Sequence, residues 1–177
     1  VFDIETSDPQ RSHARVIEIA YEILDPATLD TVRRCSCLVR HRDDDVLIDE
    51  ASSHVHGITS EQCEAEGRDI VEVLHDMVSD WADVGTLVSH GLDVDLDILA
   101  LEFIRVLSYW PFSHCELVCT KEIGAYVCCI PRGRDGYKWP TMIELFHTLF
   151  PDEKGVTASH RAADDVVMCV RCYRAIS

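Results

Sequence analysis

The spacing of apolar residues along the chain changes from a period of two to a period near 3.6, which separates predicted strands from predicted helices. The segments "VFDIETS", "RVIEIAYEIL" and "TVRRCSCLVR" alternate, and they predict an antiparallel meander in residues 1–40. From "ITSEQCEAEG" onward the pattern is helical, with Thr59 or Ser60 as the expected cap. The next helix, "DIVEVLHDMVSDW", carries an apolar stripe of Ile70, Val73, Leu74, Met77 and Trp81.

Strands and helices then alternate. "TLVSH" and "ELVCT" predict two further strands around the helix "DLDILALEFIRVL", and two helices follow, one from Pro140 or Thr141 and one after Ser159. This order predicts an α/β fold with a mixed five-stranded sheet and helices on both faces. We expect a single domain over residues 1–177, with the first strand trimmed at its N-terminal end.

The first strand carries two acids, Asp3 and Glu5, which a period of two places on the same face. Like charges at this distance repel, and burying them costs several kcal/mol each unless a cation lies between them. A divalent cation is the simplest candidate. The alternative is an edge strand whose acidic face is solvated.

Three more acids alternate in "SHGLDVDLDILALE": Asp93, Asp95 and Asp97. A calcium-binding EF-hand loop is excluded, because Ile98 falls where that loop needs glycine and Ile104 where it needs a bidentate glutamate. The dipole of the following helix favours an acid in its first turn in any case. Position alone therefore does not choose among the three acids.

The last segment, "ASHRAADDVVMCVRCYRAIS", is more selective. In a helix over residues 161–176, Asp165 shares a stripe with Ala162 and Cys169, whereas Asp164 aligns with the arginines of the outer face. Asp165 is thus predicted to face inward and to need a partner. His160 lies just before this helix, where it is either a surface residue or a side chain held over a site.

The nine cysteines show no spacing typical of a disulfide framework or a zinc finger. No stretch of about 18 apolar residues and no signal-peptide pattern is present, so no membrane association is expected. These features favour an unsecreted protein of a reducing compartment, the cytoplasm or the nucleus.

The net charge is −16, from 16 basic and 32 acidic residues. This balance argues against broad electrostatic capture of nucleic acid. The objection is weaker if several acids bind metal, and if basic residues cluster locally, as Arg132, Arg134 and Lys138 do in "PRGRDGYKWP". Any contact with nucleic acid is therefore expected to be short.

The acidic motifs together resemble those of a known family. Asp3 and Glu5 in "FDIET", Asp95 five residues after His90, and His160 with Asp165 in "HRAADD" resemble the three motifs of the DEDDh (DnaQ-like, RNase T type) 3′-to-5′ exonucleases. "VHGIT" at residues 55–59 is similar to the family's substrate-side loop. The resemblance covers nearly the whole chain, with the motifs in the family's order.

The resemblance implies a ribonuclease H-like fold and two divalent ions, Mg²⁺ or Mn²⁺, with four carboxylate ligands and a histidine general base. The implied ligands are Asp3, Glu5, Asp95 and Asp165, and the implied base is His160. Thr6 and His56 would contact the terminal nucleotide. Val94 stands where the family usually has an aromatic residue that stacks on a nucleotide, and Gly91 replaces the usual asparagine.

The leading hypothesis is a metal-dependent exonuclease that releases nucleotides from single-stranded or frayed DNA 3′ ends, in proofreading or in a standalone role. The first alternative is a 3′-to-5′ exoribonuclease on short or structured RNA, because the sequence does not reveal the sugar preference. The second is a catalytically silent module that binds a polymerase or another replication or repair protein. Such a module would be free to lose ligands, whereas all five catalytic positions are present here.

Overall fold

The computed structural model describes residues 1–42, 46–133, 136–153 and 155–177. Within these residues the strands are β1 (Phe2–Thr6), β2 (Val16–Leu24), β3 (Thr31–Arg40), β4 (Arg68–Asp69), β5 (Thr86–Ser89) and β6 (Glu116–Cys119). The helices are α1 (Glu50–His56), α2 (Ser60–Glu66), α3 (Ile70–Asp80), α4 (Leu92–Leu107), α5 (Thr120–Cys128), α6 (Met142–Leu149) and α7 (Ala162–Ile176). The predicted alternation of strands and helices is confirmed.

The sheet is mixed, as predicted. β1, β2 and β3 form an antiparallel meander in which Ile19 pairs with Ile4 on one side and Cys37 on the other. β4 pairs in parallel with β3, and β5 pairs in parallel with β6 beside β1. The sequence predicts a single sheet of five strands, whereas the described residues form one ladder of four strands and one of two. The extra strand, β4, has only two residues, too few to show a hydrophobic period.

β2 lies at the centre of the meander and is covered on both faces. Tyr21 packs with α3 and α4 in the main core, whereas Ala20 packs against Val166 of α7. The alternating pattern of β2 is typical of a strand with one face in solvent, but Glu18 and Glu22 on its polar face are only 3% and 2% exposed. Helices therefore cover both faces of the sheet, and two acids lie under α7.

Helix starts follow local side-chain chemistry. Thr59 caps α2 and Thr141 caps α6, at starts that the sequence predicts, and the structure completes each as a capping box with Gln62 and Glu144 respectively. Two helices were not predicted. α1 is mostly polar, and α5 contains a glycine and has only nine residues, so neither shows a clear apolar period.

A buried ion pair fixes the loop between β1 and β2 to helix α4. Glu102 is fully buried and accepts hydrogen bonds from the Arg15 guanidinium, with Nη2 at 2.8 Å from Oε1. Nη2 of Arg15 lies 2.9 Å from Nδ1 of His41, whose Nε2 lies 2.8 Å from the Val16 carbonyl oxygen. The backbone that follows the first acidic strand is thus held by charge as well as by apolar packing.

All nine cysteines are free, as expected from their spacing. Across the part of the chain that the structure describes, no helix has the length and apolar character needed to cross a membrane.

The Glu102–Arg15 pair yields the first prediction. Replacing Glu102 with glutamine keeps the side-chain volume but leaves a mostly buried guanidinium without its counter-charge, a change that typically costs about 3 kcal/mol or more. For a chain of this size, Glu102→Gln should lower the melting temperature by about 6 °C or more. Circular dichroism melting curves measure the shift.

Asp97→Asn on the same helix is the matched control, since Asp97 pairs with Arg11 at 2.9 Å in an exposed position. Exposed ion pairs contribute little to stability, so this variant should melt near the wild-type temperature. Equal losses in the two variants would contradict the structural role given to Glu102.

Candidate active site

Three of the predicted carboxylates meet at one point of the fold. Asp3 and Glu5 project from the same face of β1, toward α7, because Phe2 and Ile4 enter the main core on the other face. Carboxylate oxygens of Asp3, Glu5 and Asp165 lie within 4.8 Å of one another. The sequence argument that chose Asp165 over Asp164 is consistent with this placement, since Asp164 is exposed.

The structure also separates the three acids of the second motif. Asp95 is half-buried in the first turn of α4 and accepts a short hydrogen bond from the Ser89 hydroxyl at the end of β5. Asp93 and Asp97 are exposed and bind Arg11 at 2.7 Å and 2.9 Å. Asp95 therefore faces the site, and its charge raises the pKa of Asp3.

Electrostatics in this cluster are unfavourable to four ionised acids. Burial, reinforced by the neighbouring carboxylates, raises the pKa of Asp3 well above its usual value. Burial and the charge of Asp165 raise the pKa of Glu5 to about 8. Burial raises the pKa of Asp95 to about 6 and also raises that of Asp165. The fold thus holds acids together that repel one another once they are ionised.

The donor set fits hard divalent cations. The clustered ligand atoms are carboxylate oxygens, which Mg²⁺ and Mn²⁺ prefer. A cysteine, Cys169, lies one helical turn after Asp165 on α7, but burial raises the pKa of its thiol to about 12, so it stays protonated and is a poor metal ligand. Cations among the acids would relieve the repulsion that raises their pKa values.

Glu18 is a positioning residue that sequence reasoning missed. Its carboxylate accepts hydrogen bonds from Arg161, with Nη2 at 2.5 Å, and from the Ala162 backbone N–H at 2.9 Å, so it caps the start of α7. This contact ties β2 to the segment between His160 and Asp165. The sequence does contain one indication: Glu18 is an acid in the middle of an apolar strand. An acid in that position needs a hydrogen-bonding or charged partner once α7 covers that face.

His160 lies where the sequence placed it, exposed and two residues before α7. Its backbone is left-handed, with φ of 51°, an uncommon conformation for a residue other than glycine and one that recurs at functional sites. Its imidazole is close enough to Asp165 to lower the pKa of that carboxyl, against the larger effect of burial. His160 is thus at the edge of the acidic cluster.

Thr6 and His56 are neighbours at the end of β1. His56 is buried; Nδ1 accepts the backbone N–H of Ile58 at 3.0 Å, so Nε2 carries the proton and faces the Thr6 carbonyl oxygen at 3.3 Å. The Thr6 hydroxyl donates to the Asp8 carbonyl oxygen at 3.3 Å. Both ring nitrogens of His56 are engaged with backbone, which leaves its carbon edge and faces for any nucleotide contact.

The second motif has a backbone that requires its glycine. Gly91 precedes α4 with φ of 136°, which only glycine adopts readily. Val94 is half-buried against the main core. In the predicted basic cluster, Arg132 is exposed and Lys138 pairs with Glu144 at 2.7 Å, while Arg134 lies outside the described residues.

The comparison with known families agrees with this site. The sequence matches the RNase_T exonuclease family over residues 1–173. The chain belongs to this family. The resemblance to the DEDDh exonucleases is therefore confirmed, and with it the prediction of an exonuclease, a phosphodiester hydrolase of a class that works with divalent metal ions.

Solved structures share the fold at low identity. Exonuclease I of E. coli in complex with a dT13 oligonucleotide has a TM-score of 0.75 at 17% identity, over 98% of this chain and 39% of that one. The zinc-bound form of the same enzyme with single-stranded DNA gives 0.76 at 17% identity, over 99% and 39%. A full-length 3′-exonuclease gives 0.68 at 17% identity, over 97% and 57%.

These likenesses confirm the ribonuclease H-like fold that the resemblance implies. The chain spans less than two thirds of the length of each of these solved proteins. A comparison with curated protein sequences finds no match.

The raised pKa values predict how stability depends on pH without metal. Acids with a raised pKa in the folded state bind protons more tightly than in the unfolded chain, so the contribution of this cluster to stability is greatest at low pH and falls as pH rises. For Asp95 and Glu5 this fall should continue through about pH 6 and about pH 8. In EDTA, the melting temperature should therefore drop by several degrees between these pH values.

Millimolar Mg²⁺ should cancel most of that drop by binding the folded state. Glu5→Gln removes one of the repelling charges, so it should flatten the pH dependence in EDTA and raise the melting temperature at about pH 8. A metal-free protein whose stability rises over this range, or is insensitive to Mg²⁺, would contradict the clustered geometry.

Proposed function

We propose that this chain is the catalytic domain of a 3′-to-5′ exonuclease that removes nucleotides from single-stranded or frayed DNA ends. The observation that carries the proposal is the convergence of Asp3, Glu5 and Asp165 beside Asp95, with His160 at the edge of the cluster. Membership of the RNase_T exonuclease family supports it independently.

The acids are proposed to hold two divalent ions, with Mg²⁺ or Mn²⁺ as the natural metals. When bound, two such ions supply a hydroxide near neutral pH, neutralise charge on the scissile phosphate and stabilise the leaving oxygen. The all-oxygen donor set supports this choice over zinc, which favours nitrogen and sulfur ligands. A zinc-bound form of the E. coli fold neighbour exists, so the metal needs a direct test.

His160 is proposed to accept the proton of the attacking water. It is exposed, so it can approach and leave the site, and the Glu18–Arg161 contact fixes the backbone next to it. Thr6, His56 and Val94 are proposed to contact the terminal nucleotide. Thr6 follows Glu5 on β1, His56 at the end of α1 lies against the Thr6 carbonyl oxygen, and Val94 precedes Asp95 on α4.

DNA is proposed as the substrate because the E. coli fold neighbours were solved with DNA oligonucleotides. An RNA substrate is the alternative, and the sugar preference is decided by matched DNA and RNA oligonucleotides of one sequence. A polymerase or another replication or repair protein stays a proposed partner. A catalytically silent module is disfavoured, because the acids and His160 are present together at one place.

The metal ligands give a paired prediction. Asp165→Asn should reduce cleavage of a 3′-labelled oligonucleotide in Mn²⁺ or Mg²⁺ to near background, since it removes a charge from the cluster. Asp164→Asn, its exposed neighbour, should keep most activity. The same contrast is expected for Asp95→Asn against Asp97→Asn, and excess EDTA should abolish turnover in every active protein.

Two results would overturn the ligand assignment. One is full activity in EDTA. The other is a larger loss of activity in Asp164→Asn than in Asp165→Asn, or in Asp97→Asn than in Asp95→Asn. Either result would mean that the outward-facing acid is the ligand.

The role of His160 gives a separate prediction. General-base assistance is typically worth about 10² to 10⁴ in rate. His160→Ala should therefore lower kcat by that order, while the stabilisation by Mg²⁺ stays near wild type because no ligand has been removed. Single-turnover cleavage and thermal shift measure the two effects. A variant with wild-type turnover would end the general-base assignment and leave the carboxylate site intact.

A further inference from the structure

A cluster of exposed aromatic side chains lies beside the candidate active site, and the mechanism does not use it. Tyr126 on α5 is 79% exposed, and Tyr137 and Trp139, in the segment after α5, are 46% and 60% exposed. We call these three residues the aromatic face. Single exposed apolar residues need no explanation, but adjacent exposed aromatics mark a binding surface.

The aromatic face is an ordered arrangement. The rings of Tyr126 and Tyr137 meet edge to face with centroids 6.5 Å apart. The ammonium of Lys121 lies over the Trp139 ring, 5.9 Å from its centroid. The segment therefore runs antiparallel to α5, with Trp139 near the start of the helix and Tyr137 near its end.

The structure fixes this segment to the catalytic motifs through His90, the histidine of the second motif. Its Nδ1 lies 3.0 Å from the Thr120 hydroxyl at the start of α5, and its Nε2 lies 3.1 Å from the carbonyl oxygen of Pro140, which follows Trp139. Thr120 also donates to the carbonyl oxygen of Ser89, whose hydroxyl binds Asp95. Trp139 is thus anchored to the element that carries a metal ligand.

Close packing holds the segment against α5. A Cβ built on Gly124 would lie 2.9 Å from Pro140 Cγ, so only glycine allows this approach. The orientation of the two elements is therefore constrained by packing as well as by the hydrogen bonds of His90.

Two cations border the aromatic face, although the chain as a whole is acidic. The net charge is −16, yet Lys121 and Arg132 border the aromatic face and form no ion pair among the described residues. Lys138 also lies in this segment, but its charge is neutralised by an ion pair with Glu144.

We propose that the aromatic face, with Lys121 and Arg132, binds the nucleotides that precede the 3′ terminus by stacking their bases while the two cations contact the phosphates. Aromatic stacking beside positive charge is how proteins hold single strands without reading their sequence. The proposal rests on the proposed function, because it takes the acidic cluster as the position of the 3′ end.

The geometry also gives the bound oligonucleotide a direction. From its 3′ end at the acidic cluster, the oligonucleotide passes Trp139 and Lys121 first, and Tyr126 and Tyr137 after them. Lys121 and Tyr126 are separated by about 7.5 Å along the axis of α5. Trp139 therefore contacts a nucleotide nearer to the 3′ end than Tyr126 does.

Fluorescence anisotropy with 5′-labelled oligothymidylates of increasing length, made with hydrolysis-resistant phosphorothioate linkages and measured in Mg²⁺, tests the proposal. Wild-type affinity should increase with length. Trp139→Ala should weaken binding of the longer oligonucleotides by about fivefold or more, and Trp139→Phe should restore most of it. Tyr126→Ala should lose affinity only at greater lengths than Trp139→Ala. Arg132→Gln should reduce the dependence of affinity on salt.

Tyr109→Ala is the matched control, since Tyr109 is 46% exposed at the end of α4. Equal affinities of Trp139→Ala, Tyr109→Ala and wild type at every length would overturn the proposal. A concentration-dependent dimer in sedimentation that Trp139→Ala abolishes, without any change in oligonucleotide affinity, would also overturn it and assign the face to a second copy of the chain.

Failure of the proposed function is distinguishable from failure of the aromatic face. Hydrolysis of the p-nitrophenyl ester of thymidine 5′-monophosphate by the wild-type protein reports on the acidic cluster alone, because the ester has no preceding nucleotides. An inactive protein that still shows length-dependent binding lost in Trp139→Ala would contradict the function and support the face. An active protein without length-dependent binding would support the proposed function and contradict the role of the aromatic face.

Discussion

Repulsion among buried carboxylates is the constraint around which this fold is arranged. Asp3, Glu5 and Asp165 lie within 4.8 Å, with Asp95 beside them, and each has a raised pKa. Such an arrangement persists only when the surrounding structure holds it in place. The two sources of that support are the central strand β2 and the helix α7, which bring the first and last motifs together.

Two other acids help to stabilise this arrangement. Glu18 caps α7 and binds Arg161, and Glu102 binds Arg15 in the loop after β1. Both are buried, and both pair with an arginine, so their charges are compensated inside the protein. Among the described residues, no arginine forms an ion pair with the acids of the cluster, which leaves them available to cations.

The sequence predicted what depends on local periodicity. The shared face of Asp3 and Glu5 follows from strand alternation, and the inward position of Asp165 follows from the helical stripe that it shares with Ala162 and Cys169. The starts of α2 and α6 were also predicted, because a helix cap depends on residues that are close together in the sequence.

What the sequence did not predict depends on contacts between distant elements. The burial of Glu18 is decided by α7, which lies more than a hundred residues further along the chain. Local position did not distinguish Asp95 from Asp93 and Asp97, and only the family resemblance did, because the difference depends on contacts with Ser89 and Arg11 that no local pattern connects to α4. The two short helices α1 and α5 show no clear apolar period. The aromatic face depends on the packing of the segment after α5 against that helix, which the sequence does not indicate.

The most direct test of the account is anomalous diffraction from crystals of the protein grown with Mn²⁺. We expect manganese peaks among the carboxylates of Asp3, Glu5, Asp95 and Asp165, with His160 outside the ligand set. Crystals that contain Mn²⁺ elsewhere but show no peak at this cluster, or a peak bound through His160 or Cys169, would contradict it.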